Sequence, residues 1–284
     1  MSESNTSTIG VQRIFSVMRA LANVQAEGGR VTEIARNVGL TQATTHRLLQ
    51  SLSAEGMVEQ EQQSKRYRLA IDFFALAAQA GNPSNLRTLC RPTLLRLSAS
   101  LGDSIFLLVR TGFDAVCLDR SEGPFSIRSF TGDIGGRVAL GAGQGALAIL
   151  AFLDEVERDD VIRHNLSRLR EFGIFDEVHL RTEIERVRTT GHSSRSTGLL
   201  EDMAGVAVPI FDREGRAVAA LSVGTISARL NAERMPMVVE LLKREATSLT
   251  PKINPFDVAL RRPSQILAGH PTAPPITGGN SPSR

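Results

Sequence analysis

The residues best suited to chemistry in this 284-residue sequence lie near the start of one predicted helix: Ala43, His46 and Arg47 on its outer face, and Gln42 and Thr44 at the flanks of that face. An arginine can bond the O6 and N7 atoms of guanine, a glutamine can read an adenine edge, and an alanine methyl can contact a thymine methyl. Thr44 and the amides of the helix N-terminus can hold a phosphate. The pattern predicts a helix that reads base pairs in the major groove of DNA, with His46 contacting a base, the DNA backbone or solvent.

The inner side of the same helix is predicted to be buried. At about 100° per residue, Thr45 falls on one face with the leucines at 48, 49 and 52. Ala35 and Gly39 precede it at the spacing of a helix-turn-helix, in which a small residue lets two helices cross and a glycine makes the turn. Thr32 and Thr41 are predicted N-caps for helices over 33–38 and 41–54. A three-helix module that only mediates protein contacts remains the alternative.

Two short strands after this unit predict a wing. Residues 58–60 and 66–69 flank a polar turn, and Lys65, Arg66 and Arg68 could add contacts to DNA phosphates. With a first helix starting near Val11, the segment 9–69 is predicted to be a winged helix-turn-helix domain. Residues 1–8 are expected to be a disordered end.

Three glycines, Gly141, Gly143 and Gly145, lie just before and in the first turn of a predicted helix over 143–157. Open amides at a helix N-terminus suit a carboxylate or another anion. The simpler alternative is that the glycines only allow a tight turn between a strand and the helix. A second alternative is a nucleotide-binding enzyme, because the spacing nearly matches a dinucleotide fingerprint and Asp159 and Asp160 follow about 20 residues later. The surrounding segments do not repeat a strand-helix-strand pattern, which disfavours that enzyme.

The remaining histidines, serines and cysteines form no recognisable catalytic or metal-binding motif. His192 precedes Ser193 and Ser194 without an identifiable acid partner, so we interpret all three as loop residues. The two cysteines, Cys90 and Cys117, are interpreted as buried small residues rather than redox sensors. We therefore expect no catalytic residues, no metal site and no cofactor.

The rest of the chain predicts an α+β organisation. Residues 70–83 form a predicted linker helix, and 84–250 alternate helices with the paired strands 104–110/115–120 and 204–211/217–225, which favours an antiparallel sheet with helices. Residues 251–284, rich in Pro, Gly and Ser, are expected to be a disordered tail. Arg261 and Arg262 in that tail could touch DNA, although a solubilising role is the simpler interpretation.

Charge distribution and composition constrain the partners and the location of the protein only weakly. The net charge of +3 divides into +2 for residues 1–69, −2 for 70–250 and +3 for 251–284, so both ends are basic. The N-terminus lacks the features of a signal peptide, and no apolar run is long enough to span a membrane. We expect a cytoplasmic, nucleoid-associated protein without membrane contact.

The order of these motifs resembles the IclR family of bacterial transcriptional regulators over about residues 9–250. The matching stretches are TTHRLLQSL, Gly56 and Tyr67-Arg68-Leu69 in the first domain, and DSIFLLVRTG, LGAGQGALAILAFL, RVRTTGH and MAGVAVPIFDREGRAVAALSVGTISARL in the second. A Gly-Lys pair usual in the family is replaced by Leu140-Gly141-Ala142-Gly143-Gln144-Gly145-Ala146, a glycine-rich variant.

The resemblance implies a ligand-responsive repressor or activator. It implies a homodimer or tetramer on double-stranded operator DNA, with a palindromic site, and a C-terminal effector-binding (GAF-like) domain that senses a small anionic organic molecule. By position it assigns the effector contacts to Gly143, Gln144, Gly145, Val208 and Ser222.

Overall fold

The computed structural model describes residues 3–80, 86–125, 134–174, 176–195 and 202–253. The chain divides into two compact units, Met1–Pro83 and Ser84–Arg284. The end of the predicted linker helix and nearly all of the predicted tail, including Arg261 and Arg262, lie outside the described residues. Within the described ranges, no helix combines the length and the hydrophobicity needed to cross a bilayer.

The first unit is a winged helix-turn-helix, as predicted. Its elements in chain order are α1 (Glu3–Ala22), α2 (Val31–Val38), α3 (Gln42–Ala54), β1 (Val58–Gln60), β2 (Tyr67–Leu69) and α4 (Ile71–Ala80). The strands β1 and β2 pair antiparallel to form the wing. Helix α1 begins at Glu3, within the segment expected to be disordered. An amphipathic helix, once nucleated, extends through polar residues at little cost per residue.

Local capping explains where the helices of this unit begin. The side chain of Thr41 accepts a hydrogen bond from the Thr44 amide at 3.2 Å, so the predicted start of α3 is confirmed. The predicted Thr32 cap is wrong. Helix α2 starts earlier because the Glu33 carboxylate accepts from the Arg30 amide at 2.9 Å, half of a capping box. Gly39 ends α2 with φ 66°, the left-handed conformation that glycine adopts without strain.

The core of the first unit joins all three helices of the DNA-binding motif to the wing. Its buried apolar residues are Val17, Ala20, Leu21, Ile34, Leu49, Leu52, Val58, Tyr67 and Leu69. This core fixes the orientation of α3 relative to the wing.

The second unit is a six-stranded sheet with helices on both faces. Its elements are α5 (Leu86–Leu101), β3 (Ser104–Thr111), β4 (Asp114–Ser121), β5 (Arg137–Ala139), α6 (Gly143–Ala151), α7 (Glu155–Leu169), α8 (Glu177–Thr190), β6 (Ser193–Arg195), β7 (Met203–Phe211), β8 (Ala217–Ile226) and α9 (Met235–Leu249). The strand order is β5-β4-β3-β8-β7-β6, and all neighbouring strands pair antiparallel. This topology differs from the parallel sheet of a dinucleotide-binding enzyme.

Each face of this sheet has its own core. Helices α6, α7 and α8 pack on one face, with Phe106 and Ala207 among the strand residues they cover. Helices α5 and α9 pack on the other face, with Leu107 and Val208 among the strand residues there. Because both faces are buried, neighbouring residues along one strand belong to different cores.

The predicted helix over 143–157 is two helices in the structure. Helix α6 ends at Ala151, and α7 begins after Asp154, whose carboxylate accepts from the Glu157 amide at 2.9 Å. Helix α7 is rich in charged residues, so its sequence does not indicate that one side, which includes Val161 and Ile162, is buried.

Candidate DNA interface and ligand site

Helix α3 presents the predicted base-reading residues to solvent. Gln42, Ala43, His46 and Arg47 are exposed, and Thr44 is half-buried. On the reverse side, Thr45, Leu49 and Leu52 are buried in the core of the unit. The helix therefore offers a short polar face supported by a rigid apolar back, the arrangement of a major-groove reader.

The first turn of α3 is held by two threonines. The Thr41 hydroxyl donates to the Thr44 hydroxyl oxygen at 2.9 Å, while the Thr44 amide donates to Thr41. The Thr44 hydroxyl proton is left to donate outward, which suits a phosphate oxygen.

The wing residues divide into two roles. Lys65 is exposed at the tip of the wing, in a left-handed conformation with φ 57°. Arg66 is half-buried, and its Nη1 donates to the Gly28 carbonyl at 2.7 Å and lies 3.5 Å from the Glu33 carboxylate. Arg66 thus ties the wing to the α1–α2 connection, whereas the charge of Lys65 faces solvent. The local sequence could not distinguish the two, because Gly28 is 38 residues from Arg66.

The glycine-rich loop in the second unit leads directly into α6. Gly141 and Gly143 have φ values of 104° and 72°, and the N-cap residue Ala142 provides no side-chain hydrogen bond. The first amides of α6 therefore lack a side-chain cap and can receive an anion. Gly145 has a different role, since a Cβ there would lie 2.6 Å from Leu108 Cδ1. Its hydrogen side chain lets α6 approach β3.

Gln144 connects the start of α6 to the sheet. Its carbonyl accepts a hydrogen bond of 2.6 Å from the Ser193 hydroxyl on β6. Its side chain lies over Gly205, where an added Cβ would be 3.2 Å from Gln144 Cγ. The Gln144 Oε1 atom is buried without a hydrogen-bond partner among the described residues. A buried amide oxygen of this kind is costly unless a ligand or water pairs with it.

Ser222 and Val208 lie on opposite faces of the sheet. Ser222 is opposite Ala207 on β7 and Phe106 on β3, so it shares the face covered by α6. Val208 packs in the core formed by α5 and α9. The structure thus brings Gly143, Gln144 and Ser222 to one side and does not bring Val208 to them. The strand neighbour Ala207 occupies the place that was predicted for Val208.

A solvent-open cleft also lies outside α6, on the side of α8. It encloses about 340 Å³, part of which is open solvent. Its lining residues are Gly141, Gly143, Gln144, Leu147, Ile174, His179, Leu180 and Glu183. The amide end of α6 is therefore accessible from outside the unit.

His192 and His164 are engaged in a backbone contact and in ring packing. The His192 ring lies 3.2 Å from the Thr190 carbonyl rather than against Ser193. His164 stacks on Phe113 at 3.7 Å, and burial lowers the pKa of its imidazole. Among the described residues, no group of three or more His, Cys, Asp and Glu side chains is placed to hold a metal ion.

Comparison with known proteins places this architecture in a family. The chain matches the IclR helix-turn-helix domain over residues 10–62 and the bacterial transcriptional regulator IclR C-terminal domain over residues 79–250. It is 26% identical over 224 residues to the HTH-type transcriptional regulator KipR of Bacillus subtilis, covering 78% of this chain and 89% of KipR. It is 25% identical over 252 residues to the regulator KdgR of Escherichia coli, covering 88% and 95% of the two chains.

Solved structures share the fold. An IclR homolog from Microbacterium hydrocarbonoxydans, solved in complex with 4-hydroxybenzoate, has a TM-score of 0.70 at 23% identity and covers 85% of this chain and 98% of its own. An IclR regulator from Alicyclobacillus acidocaldarius has a TM-score of 0.70 at 24% identity, with 84% and 96% covered. The two family matches span most of the chain, and they coincide with the exposed face of α3 and with the antiparallel sheet. The chain therefore belongs to the IclR family of bacterial transcriptional regulators, and it is a ligand-responsive regulator with an N-terminal DNA-binding domain and a C-terminal effector-binding domain.

Proposed function

We propose that this regulator binds a palindromic operator as a homo-oligomer, with α3 of two subunits in successive major grooves, and that an anionic organic effector controls the binding. The observation that carries the DNA contact is the polar outer face of α3 over a buried back. Gln42, Ala43, His46 and Arg47 are assigned to base edges or the adjacent backbone, and Thr44 and Lys65 to phosphates. Arg66 is assigned mainly to holding the wing in place, through its contacts with Gly28 and Glu33.

Exposed apolar side chains support the homo-oligomer. Helix α1 exposes Val11 and Phe15, both at 51%, at an i, i+4 spacing that places them on one helix face. Helix α4 exposes Ile71 at 75% and Phe74 at 47%, also on one face. Single exposed apolar residues are common on protein surfaces. Two pairs of them, one on α1 and one on α4 of the same small domain, favour burial of these faces against a second copy of the chain.

The effector assignment depends on the amide end of α6. Gly143 and Gln144 begin this helix without a side-chain cap, the Gln144 Oε1 atom is buried and unpaired, and the Ser222 hydroxyl lies on the same face of the sheet. A carboxylate of the effector can accept hydrogen bonds from the first amides of α6 and from the Ser222 hydroxyl. Another group of the same effector molecule can donate a hydrogen bond to Gln144 Oε1. The related regulator from Microbacterium hydrocarbonoxydans is described in complex with 4-hydroxybenzoate, an aromatic carboxylate, which favours the same chemical class here.

The same proposal assigns the chain no catalytic activity of its own and places it in the cytoplasm, in contact with DNA. Regulation then requires the effector to bind one arrangement of the oligomer more tightly than another. The sign of regulation, repression or activation, follows from which arrangement fits the operator.

Titration of the DNA upstream of the gene tests the DNA-binding part. Wild-type protein is expected to shift this fragment with an affinity that falls steeply as salt rises, because counterions are released from phosphates. Arg47→Ala should weaken binding about tenfold or more, the effect of losing a base or phosphate contact. Arg163→Ala on α7, whose side chain is 71% exposed, removes the same charge from the sensor unit and serves as the control. Equal binding by Arg47→Ala and wild type would show that Arg47 does not contact DNA.

A further inference from the structure

The solvent-open cleft beside α6 has walls from two helices. Gly141, Gly143 and Gln144 line it at the start of α6, and His179 and Glu183 line it on α8. Its space of about 340 Å³, part of which is open solvent, is at the lower end of the range for ligand pockets, about 300–1,000 Å³. The cleft therefore suits a small organic molecule that enters directly from solvent.

The backbone at the start of α6 is unobstructed. An added Cβ at Gly143 would meet no other atom within 4 Å, so no side chain blocks that side of the glycine. Ala142, the N-cap residue, gives no side-chain hydrogen bond to the first amides of the helix. A carboxylate in the cleft can therefore reach these amides, which form the anion site already proposed for α6.

His179 is an unengaged donor on the α8 side of the cleft. Its side chain is exposed, and its ring has no hydrogen bond or ion pair with the rest of the chain that the structure describes. By contrast, His164 stacks on Phe113, and the His192 ring contacts the Thr190 carbonyl. An imidazole N–H can donate to a carboxylate whether the ring is neutral or charged, and a charged ring adds an ionic attraction.

The acidic residue of the cleft is already paired with a cation. Glu183 lies one helical turn after His179, and its carboxylate accepts from Arg186 Nη2 at 2.8 Å and from Arg186 Nε at 3.2 Å. The same Nη2 also donates to the Ser194 carbonyl at 3.1 Å, which holds the guanidinium in place. A two-point pair of this kind compensates the charge of the carboxylate. Glu183 therefore opposes a ligand anion at His179 only weakly.

The rest of the lining is aliphatic. Leu147, Ile174 and Leu180 line the cleft and are 7%, 6% and 2% exposed. All three belong to the core under α6, so their positions are fixed by packing. They offer no hydrogen-bonding group, and contact with them favours a hydrocarbon or aromatic part of a ligand over a polar one.

We propose that His179 binds the carboxylate of the effector from the α8 side of the cleft, and that the effector is a small carboxylic acid with an apolar body. The His179 ring donates to one carboxylate oxygen, and the first amides of α6 donate to the other. The apolar body contacts the aliphatic lining. This inference rests on the proposed anion-sensing function, to which it adds a contact residue and a ligand class. His179 then favours a carboxylate over a neutral group of the same shape.

Matched ligand pairs test the inference. Thermal shift and calorimetry would compare aliphatic monocarboxylates of two to six carbons, benzoate and 4-hydroxybenzoate with their neutral carboxamides. At least one of the larger acids should bind wild-type protein about tenfold or more tightly than its carboxamide, and more tightly than acetate, which lacks an apolar body. His179→Ala should weaken binding of that acid about tenfold, the effect of losing one hydrogen bond to a charged group, and leave carboxamide binding unchanged.

Further variants separate the donor from the shape of the ring. His179→Phe keeps a ring without a donor and should behave like His179→Ala, whereas His179→Lys keeps a cationic donor and should retain part of the preference. Val178→Ala truncates the preceding residue, which is 69% exposed and does not line the cleft, and should leave binding unchanged.

The outcomes distinguish the inference from the function on which it rests. Carboxylate binding that is unchanged in both His179→Ala and His179→Phe would overturn the role of His179 and leave the anion site at α6 standing. Acetate binding as tightly as every larger acid would overturn the apolar body. If no carboxylate of the series raises the melting temperature, the anion-sensing function itself is wrong.

Discussion

The hydroxyl of Ser193 donates a hydrogen bond of 2.6 Å to the carbonyl oxygen of Gln144 and so joins the edge strand β6 to the first turn of α6. Ser193 is fully buried, so no water can replace this bond without rearrangement. The contact fixes the amide end of α6 over the sheet. The proposed anion site therefore depends on the position that Ser193 gives to the first turn of α6.

Ser193→Ala should lower the free energy of unfolding by about 1 kcal/mol, because it leaves one acceptor of Gln144 without its buried donor. It should also weaken carboxylate binding, since the amides of α6 lose their fixed position. Chemical denaturation and a thermal-shift titration measure the two effects. Ser194→Ala, one residue along the same strand and directed to the other face, is the matched control. Identical ligand affinities for both variants would show that the Ser193 contact serves stability alone.

Gly145→Ala should destabilise the second unit by about 1–3 kcal/mol, the range for overpacking a core. The added methyl would lie 2.6 Å from Leu108 Cδ1, so the buried Leu108 side chain, α6 or β3 must shift. The double variant Gly145→Ala/Leu108→Val should be more stable than the sum of the two single changes predicts, because the shorter side chain relieves the clash. Strict additivity in denaturant unfolding would refute this account of the glycine.

Lys65 and Arg66 should behave differently although they are adjacent. Lys65→Ala should reduce the salt dependence of DNA binding by about one phosphate contact and leave stability unchanged. Arg66→Ala should instead lower the thermal stability of the first unit, because Arg66 holds the Gly28 carbonyl at 2.7 Å. Binding isotherms at several salt concentrations, with a melting curve for each variant, distinguish the roles. The assignment fails if Arg66→Ala changes the salt slope and Lys65→Ala does not.

Cys90 should resist thiol reagents in the folded protein. Burial chiefly, and the nearby carboxylate of Asp119, raise the pKa of its thiol to about 12, so the reactive thiolate is scarce at neutral pH. Cys117 is fully buried as well. We expect negligible labelling of native protein and labelling of both cysteines after denaturation, measured by mass spectrometry. Rapid labelling of either cysteine in the native state would reopen the redox-sensor interpretation.

The sequence was sufficient to predict those structural features that depend on residues close together in the chain. The Thr41 cap and the Gly39 turn act within one helical turn, so the boundaries of α3 could be predicted. The antiparallel pairing of β7 with β8 followed from two apolar runs joined by a short turn. These features, together with the polar side of α3, were enough to predict the fold class and DNA binding, whereas the ligand-responsive function was predicted from the resemblance to the IclR family.

The sequence was insufficient where contacts come from distant parts of the chain. Val208 and Ser222 could not be assigned to faces, because helices cover both sides of the sheet and β7 is apolar on both. The contact of Arg66 with Gly28 likewise joins residues far apart in sequence. The alternation of residues along the hairpin could have placed Ala207, rather than Val208, beside Ser222 once its register was known.

One titration tests the central claim, that a carboxylate ligand controls binding of this regulator to DNA. Fluorescence anisotropy would measure the affinity for the labelled upstream fragment at fixed salt, without ligand and with a saturating carboxylate that raises the melting temperature. The account predicts that the ligand changes the DNA affinity by about fivefold or more, in either direction, the scale of typical coupling between two sites. An unchanged DNA affinity with a ligand that demonstrably binds would contradict it.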